Sequence, residues 1–281
     1  MRHDAVGAAG LTPRSEERRS DFFMKIHPSA IVSSGAELAE DVEIRPYSII
    51  GPNVTIGSGT VIGPHAVIDG WTTIGSRNQI YPFSSIGQAP QDITYRGQET
   101  RLQIGDDNII RENVTIHRGT REGGGVTRIG HSNFIMAYAH IAHDCKIGNH
   151  VILANVATLG GHVQVDDHAA IGGLVAVHQF TRIGRHAFIG GKSGLRMDMP
   201  PYMLAFGIPA KLYGPNLVGL RRHGFTQHAI QALKKCYKIL FRSGLTMEQA
   251  LHKVHEEVED LPEVADLLRF LEDPSKRGIT R

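Results

Sequence analysis

An aliphatic residue returns at every sixth position along most of this chain. The stride runs Ile26, Val32, Leu38, Ile44, Ile50, Ile56, Ile62, Ile68, Ile74, Ile80 and Ile86, then pauses over 88–103. It resumes at Ile104, Ile110 and Ile116, pauses over 118–128, and continues from Ile129 to Leu195. Two residues before the aliphatic stands a small or β-branched one, as at Val42, Thr60, Ala66, Ala139, Cys145, Ala157 and Ala169. A helix of 3.6 residues per turn cannot keep a stride of six on one face, and a lone strand of period 2 needs no turn every six residues. A parallel β-helix satisfies both. Each hexapeptide is one short strand and one corner, and three make a triangular coil of roughly 18 residues, stacked at a strand spacing of ~4.8 Å. The spacing leaves the hand of the coil open. The two pauses read as loops thrown out from corners, and long loops in a compact domain are usually functional.

The stride divides the chain into a tail at 1–23, an all-β prism at 24–213 and a helical part at 214–281. Residues 1–23 carry Arg2, Arg14, Arg18 and Arg19 with no apolar period, which predicts a disordered tail or a stretch upstream of a true start at Met24. The stride stops after Pro200-Pro201, and 210–225 reads as a linker. Thr226 then caps a helix bearing Ile230, Leu233, Tyr237 and Leu240. Thr246 with Gln249 forms the sequence of a capping box, and Pro262 suits the first turn of a third helix.

Composition narrows the function. Thirty Lys and Arg against 28 Asp and Glu give a formal charge of +2, without the concentrated basic footprint of a nucleic-acid binder. Two cysteines, Cys145 and Cys236, exclude a disulfide framework and fit a reducing cytoplasm. No run has the length of a membrane span, and the N-terminus lacks the apolar segment of a secretory signal, so no stable membrane insertion is expected.

The chemistry lies in histidines at the polar positions. In a coil of roughly 18 residues, residues that far apart stack. His143 then lies against Gly161, Asp144 against His162, and His178 over Gly160, with His140 near the same edge. A neutral imidazole can take a proton near pH 7, a neighbouring carboxylate orients it, and a glycine N–H can approach an oxyanion closely. Base, orienter and oxyanion donor together suit direct acyl transfer from a thioester to a hydroxyl. Cys145 occupies the inward small position, which predicts a core thiol and not a nucleophile.

The segments Asn113–Thr120, His140–Cys145, Ala157–Val163, Ala176–Phe180 and Pro200–Tyr202, in this order and with both loops, resemble the acyl-[acyl-carrier-protein]–UDP-N-acetylglucosamine O-acyltransferases of lipid A biosynthesis. The resemblance runs from about Met24 to the C-terminus. It implies a left-handed coil, a cytoplasmic homotrimer with sites between subunits, and no cofactor or metal. It also implies transfer of an R-3-hydroxyacyl chain from acyl carrier protein to the 3-position of the UDP-sugar. His143 would be the base, with Asp144 as its partner and Gly161 as oxyanion donor. Gln91, Asp92, His140, His162, His178 and Gln179 would line the acceptor site. Asn216, Arg221 and Arg222 would reach it from a neighbouring subunit, and Gly191 with Lys192 would bear on acyl length.

The chain departs from the family pattern at three places: Thr94 for a usual lysine, Val218 for a glutamate and His223 for a second arginine. These leave open an acceptor carrying an amine at the 3-position. A zinc carbonic anhydrase on the same prism is the rival from another class, since it too gathers histidines between subunits. A non-catalytic prism is the third reading, and the aligned His–Asp–Gly–His corner argues against it.

Overall fold

The computed structural model describes residues 25–281, and the expectations for 1–23 lie outside the described residues. Most strands are two residues long, such as Ile31–Val32 and His140–Ile141. They form three sheets of eleven, nine and eight strands, and as far as Gly194–Leu195 each strand is followed in the chain by one on the next sheet. We call these faces 1, 2 and 3. Face 1 holds Lys25–Ile26, face 2 holds Ile31–Val32, and face 3 holds Glu37–Leu38. Within a face the pairing is parallel and keeps aliphatic on aliphatic, as in Ile44↔Ile62 and Ile141↔Leu159. The chain is a left-handed parallel β-helix with a small helical domain at its C-terminal end.

Two positions of each hexapeptide fill the prism. Ile44, Ile110, Ile141 and Leu159 are buried, and so are the small partners Val42, Ala139, Cys145 and Ala157. On face 1 the small position is asparagine in three successive coils. Asn108 Nδ2 donates to Asn78 Oδ1, Asn133 Nδ2 donates to Asn108 Oδ1, and Val151 N–H donates to Asn133 Oδ1. This internal ladder satisfies groups whose burial would otherwise be costly.

The corners need a left-handed backbone. Non-glycine residues are uncommon there, yet eighteen of them have φ between 53° and 66°, among them Asp144 and His162. Stacking holds these corners: His162 N–H donates to His143 O, and Phe180 N–H donates to Gly161 O.

Three boundaries differ from the sequence expectation. The first loop is 89–100, because Ser85–Gln88 and Arg101–Ile104 are four-residue strands. The second is 118–125, because Val126–Ile129 pairs in full register with Arg101–Ile104. The expected linker at 210–225 is structured. Met203–Phe206 joins face 1 in parallel and Lys211–Pro215 returns antiparallel to it, so the expected domain boundary at 213 falls inside a strand. This hairpin covers an otherwise open sheet edge. Helix α1, Leu217–Arg222, follows.

The remaining helices start where the sequence signals place them. For α2, Gln227–Arg242, the Thr226 side chain accepts from Ala229 N–H. The capping box of Thr246 and Gln249 forms at α3, Met247–Glu257. Pro262 opens α4, Pro262–Glu272. The helices dock on the prism through Tyr202, whose hydroxyl donates to Asp266 at 2.8 Å, and Arg182, whose ring of partners includes buried Asp198 and the Phe270 carbonyl. No helix among the described residues is long and apolar enough to cross a membrane.

Candidate active site

Both loops leave the prism at the edge between faces 2 and 3. His143-Asp144, Gly161-His162 and Phe180 occupy the next three corners of that edge. The repeat therefore stacks one chemical group above another without any sequence contact.

His143 and Asp144 form a pair. His143 Nδ1 lies 2.8 Å from Asp144 Oδ2, and the carboxylate is almost wholly buried. Burial alone would raise the Asp144 pKa. Hydrogen bonds from His143 and Thr120 outweigh it and hold the group below the usual carboxylate range. The ionised carboxylate therefore fixes the proton on His143 Nδ1 and leaves Nε2 as the acceptor. The other side of the ring faces Gly161. An added Cβ at that glycine would lie 2.5 Å from His143 Cε1 and 2.7 Å from Nε2. The Gly161 N–H has no backbone acceptor among the described residues. A free donor thus sits beside the basic nitrogen.

His162 completes the group. Its ring meets His143 edge-on at 5.2 Å and stacks on Phe180 at 4.4 Å, and Nε2 lies 3.8 Å from Asp144 Oδ2. Burial lowers its pKa against the opposing pull of Asp144. His140 sits on face 2 one strand position from the edge. Its Nδ1 is 2.7 Å from Thr115 Oγ1, and burial, then His143, lower its pKa.

The loops supply residues that sequence spacing missed. Thr120, the third residue of the second loop, donates its N–H at 2.9 Å to Asp144 Oδ1 and its hydroxyl at 2.6 Å to Oδ2. Arg118 is buried, donates to Gly87 O and to the Tyr95 hydroxyl, and lies over Trp71. It ties the first loop to the second. Their signal was present in His117-Arg118-Gly119-Thr120, where the stride enters its second pause. In the first loop, Asp92 is held below the usual range by the Thr94 side chain and N–H, with smaller contributions from His143 and His162. Thr94 donates its hydroxyl to Asp92 Oδ1 at 2.7 Å, and Gln91 is exposed beside it.

Other expected site residues stand apart within one chain. His178 and Gln179 lie on the right edge, but His178 does not join the cluster. Its Nδ1 is 3.1 Å from Gln179 O, and Phe180 takes the place against His162. Stacking by coil length places backbones and leaves the side-chain rotamer free. Asn216 caps α1 and donates to the His186 carbonyl, which belongs to the edge between faces 3 and 1. Arg221 and Arg222 project from the same helix and are exposed. Gly191 and Lys192 are exposed at the edge between faces 1 and 2.

Cys145 is fully buried, its thiol reaches Gly160 O at 3.2 Å, and burial pushes its pKa up to about 12. A thiol with that pKa carries almost no thiolate near pH 7. Cys145→Ala is expected to keep turnover within about 3-fold, since the His143–Asp144 pair and the Gly161 N–H are untouched. Loss of turnover in a folded Cys145→Ala would restore covalent catalysis.

His117 is the most perturbed histidine of the site. Burial first, then His140, His143 and Arg118, lower its pKa to about 4 from 6.5, and its ring meets His140 edge-on at 5.1 Å. The unfolded chain takes up this proton before the folded one does. Its share of stability is therefore whole above pH 6.5, falls as pH drops towards about 4, and then levels. Urea midpoints across this range should fall less steeply for His117→Gln than for the parent. Parallel curves would show that His117 does not carry this dependence.

Comparison with known proteins fixes the family. A model described as UDP N-acetylglucosamine O-acyltransferase, domain 2, matches residues 198–280, and a bacterial transferase hexapeptide model matches 35–70, 53–88 and 126–161. An acyl-[acyl-carrier-protein]–UDP-N-acetylglucosamine O-acyltransferase of Syntrophobacter fumaroxidans is 62% identical over 92% of this chain and 100% of its own length. The chain belongs to this family. A relative of the same name from Thermodesulfovibrio yellowstonii is 57% identical over 92% of the chain and 99% of its own length. The structure of LpxA from Acinetobacter baumannii has a TM-score of 0.89 at 45% identity, covering 91% of this chain and 99% of that one. The UDP-N-acetylglucosamine acyltransferase of Arabidopsis has a TM-score of 0.80 at 37% identity, covering 91% and 100%.

Membership in this family replaces the carbonic anhydrase reading. The local geometry agrees. His143, Asp144 and His162 bring ligand atoms within 4.8 Å of one another, but both Asp144 oxygens already accept from Thr120 and one is shared with His143. That leaves two ring nitrogens, fewer than the three or four protein ligands of a zinc site.

Proposed function

We propose that His143 is the general base of the reaction this enzyme performs, the transfer of an acyl chain from acyl carrier protein to UDP-N-acetylglucosamine at the start of lipid A biosynthesis. The observation that carries this reading is the imidazole fixed by Asp144 on one side with the unpaired Gly161 N–H on the other. The acceptor's 3-hydroxyl gives its proton to His143 Nε2 as its oxygen attacks the thioester carbonyl carbon. The oxyanion of the tetrahedral intermediate accepts from Gly161 N–H. Its collapse breaks the C–S bond, and the departing carrier thiolate takes the proton back from the imidazolium. Asp144 stabilises that imidazolium, and Thr120 holds Asp144. The thioester is already activated, so no cofactor or covalent enzyme intermediate is needed.

The acyl chain runs along face 2. The outward residues in register there shrink from His140 through Thr158 and Ala176 to Gly194, which leaves a shallow track beside the base. The track ends near Gly191 and Lys192, to which we assign acyl-length selection. Asn216, Arg221 and Arg222 stand on another edge of the same chain. A neighbouring copy can bring them to the His143 corner, and this supports a homotrimer with sites between subunits. We place the reaction in the cytoplasm, a setting that suits the free thiols Cys145 and Cys236.

One observation keeps the acceptor's identity worth testing. Thr94 turns its hydroxyl back onto Asp92, so no cation stands at that point of the loop. The decisive assay offers acyl carrier protein thioesters of several lengths to an equimolar mixture of UDP-N-acetylglucosamine and its 3-amino analogue. We expect the hydroxyl sugar to be acylated at least as fast as the amine. Clear preference for the amine would change the acceptor and leave fold and base in place. No transfer to either sugar would overturn the function.

A further inference from the structure

The edge between faces 3 and 1 carries a second group of histidines, on a different edge from His143 of the same chain. His150, His168 and His186 come from three successive coils and stack at 4.7 Å with nearly parallel rings, and Tyr202 continues the column. Stacking alone accounts for that column. It does not account for His223, which arrives from the end of α1 and turns edge-on to both His168, at 5.1 Å, and His186, at 4.9 Å.

We propose that His168, His186 and His223 form a binding site for a divalent transition-metal ion of the imidazole-preferring class, represented by Zn²⁺. One ring nitrogen from each lies within 4.8 Å of the others. Tetrahedral Zn–N bonds of ~2.0–2.1 Å put ligand nitrogens about 3.4 Å apart. Small rotations of the three rings close that gap. Three imidazoles and one water match the ligand count of open zinc sites. His186 Nδ1 is buried and has no hydrogen-bond partner among the described residues. Such orphaned atoms are rare in folded proteins, and a bound metal ion would give this ring a partner.

The third ligand is positioned by its backbone. Asn216 donates to the His186 carbonyl while its Oδ1 caps α1 at Gly219. That bond fixes the short helix, and with it His223, relative to the pair below. His223 is exposed, so an ion can reach the site from solvent in the isolated chain. Arg185, the nearest cation in sequence, is directed to Asp266 at 3.4 Å. Burial keeps His168 and His186 in the neutral form that offers a lone pair, with neighbouring histidines adding to the effect. Metal here would tie the helical domain to the prism beside Asn216 and Arg222, the residues assigned above to a neighbouring copy's acceptor site.

The test is calorimetric titration of the chelator-stripped full chain with Zn²⁺, with Co²⁺ absorption as a second readout. We expect one Zn²⁺ per chain and the intense visible bands of four-coordinate Co²⁺. Loss of an outer partner of a metal ligand costs 10–100-fold in affinity, so His223→Ala and His168→Phe should each cost on the order of 10²-fold or more. His150→Phe preserves the column without being a ligand and should bind as the parent does. His143→Ala should also bind, which separates this site from the first. His223 lies at an exposed helix end, so its variant decides the matter even if His168→Phe does not fold. Absence of Zn²⁺ uptake, or uptake unchanged in His223→Ala, would overturn the proposal.

Discussion

His143→Ala is expected to lower turnover by ~10²–10⁴-fold, the usual worth of a positioned general base, without changing the fold. The reason lies in what the side chain touches. One ring nitrogen is on Asp144 and the other faces the Gly161 corner, while the core of the coil is made by Ile141, Ala139 and Cys145. Removing the ring leaves Asp144 two donors from Thr120, so its buried charge stays compensated. The thermal midpoint should shift little, and the loss should appear in kcat more than in KM. Turnover near that of the parent would sink His143 as the base. A collapse in stability would mean that the ring is structural, contrary to its place at a corner.

The fold was legible because a stride of six has one simple solution. Every aliphatic of the stride from Ile44 to Leu195 is buried. The pairing of His143 with Gly161 was legible for the same reason, since no loop intervenes between those coils. Loops break this reckoning. Thr120 meets Asp144 across 24 residues, and Thr115 pairs with His140 across 25, because 118–125 adds chain without adding height. The stacking rule also places backbones and not rotamers. It brought His178 to the correct edge but could not foresee that Phe180 would stack on His162. The missed strand Lys211–Pro215 has no stride to announce it, because it ends the prism instead of continuing it. Asn216, Arg221 and Arg222 lie on another edge of the chain, and only the resemblance assigned them to the site.

Gly161→Ala is expected to cost on the order of 10²-fold in turnover, although it adds one methyl group and keeps the backbone N–H. Gly161 does not have the positive φ that alanine would resist, so the chain accepts the substitution. The new Cβ would stand 2.5 Å from His143 Cε1, well inside contact distance, so the imidazole must move. It cannot move freely, because Nδ1 is held by Asp144 at 2.8 Å and His162 stands edge-on at 5.2 Å. A displacement of about 1 Å at a reacting group is enough to cost 10²-fold. The mechanism of this loss can be separated from damage to the oxyanion donor. If the methyl acts by displacing the base, then adding Gly161→Ala to His143→Ala removes nothing further, because there is no ring left to displace. Fully additive losses in the double variant would instead place the fault in the N–H of residue 161, and the proposed contact between glycine and base would have no catalytic weight.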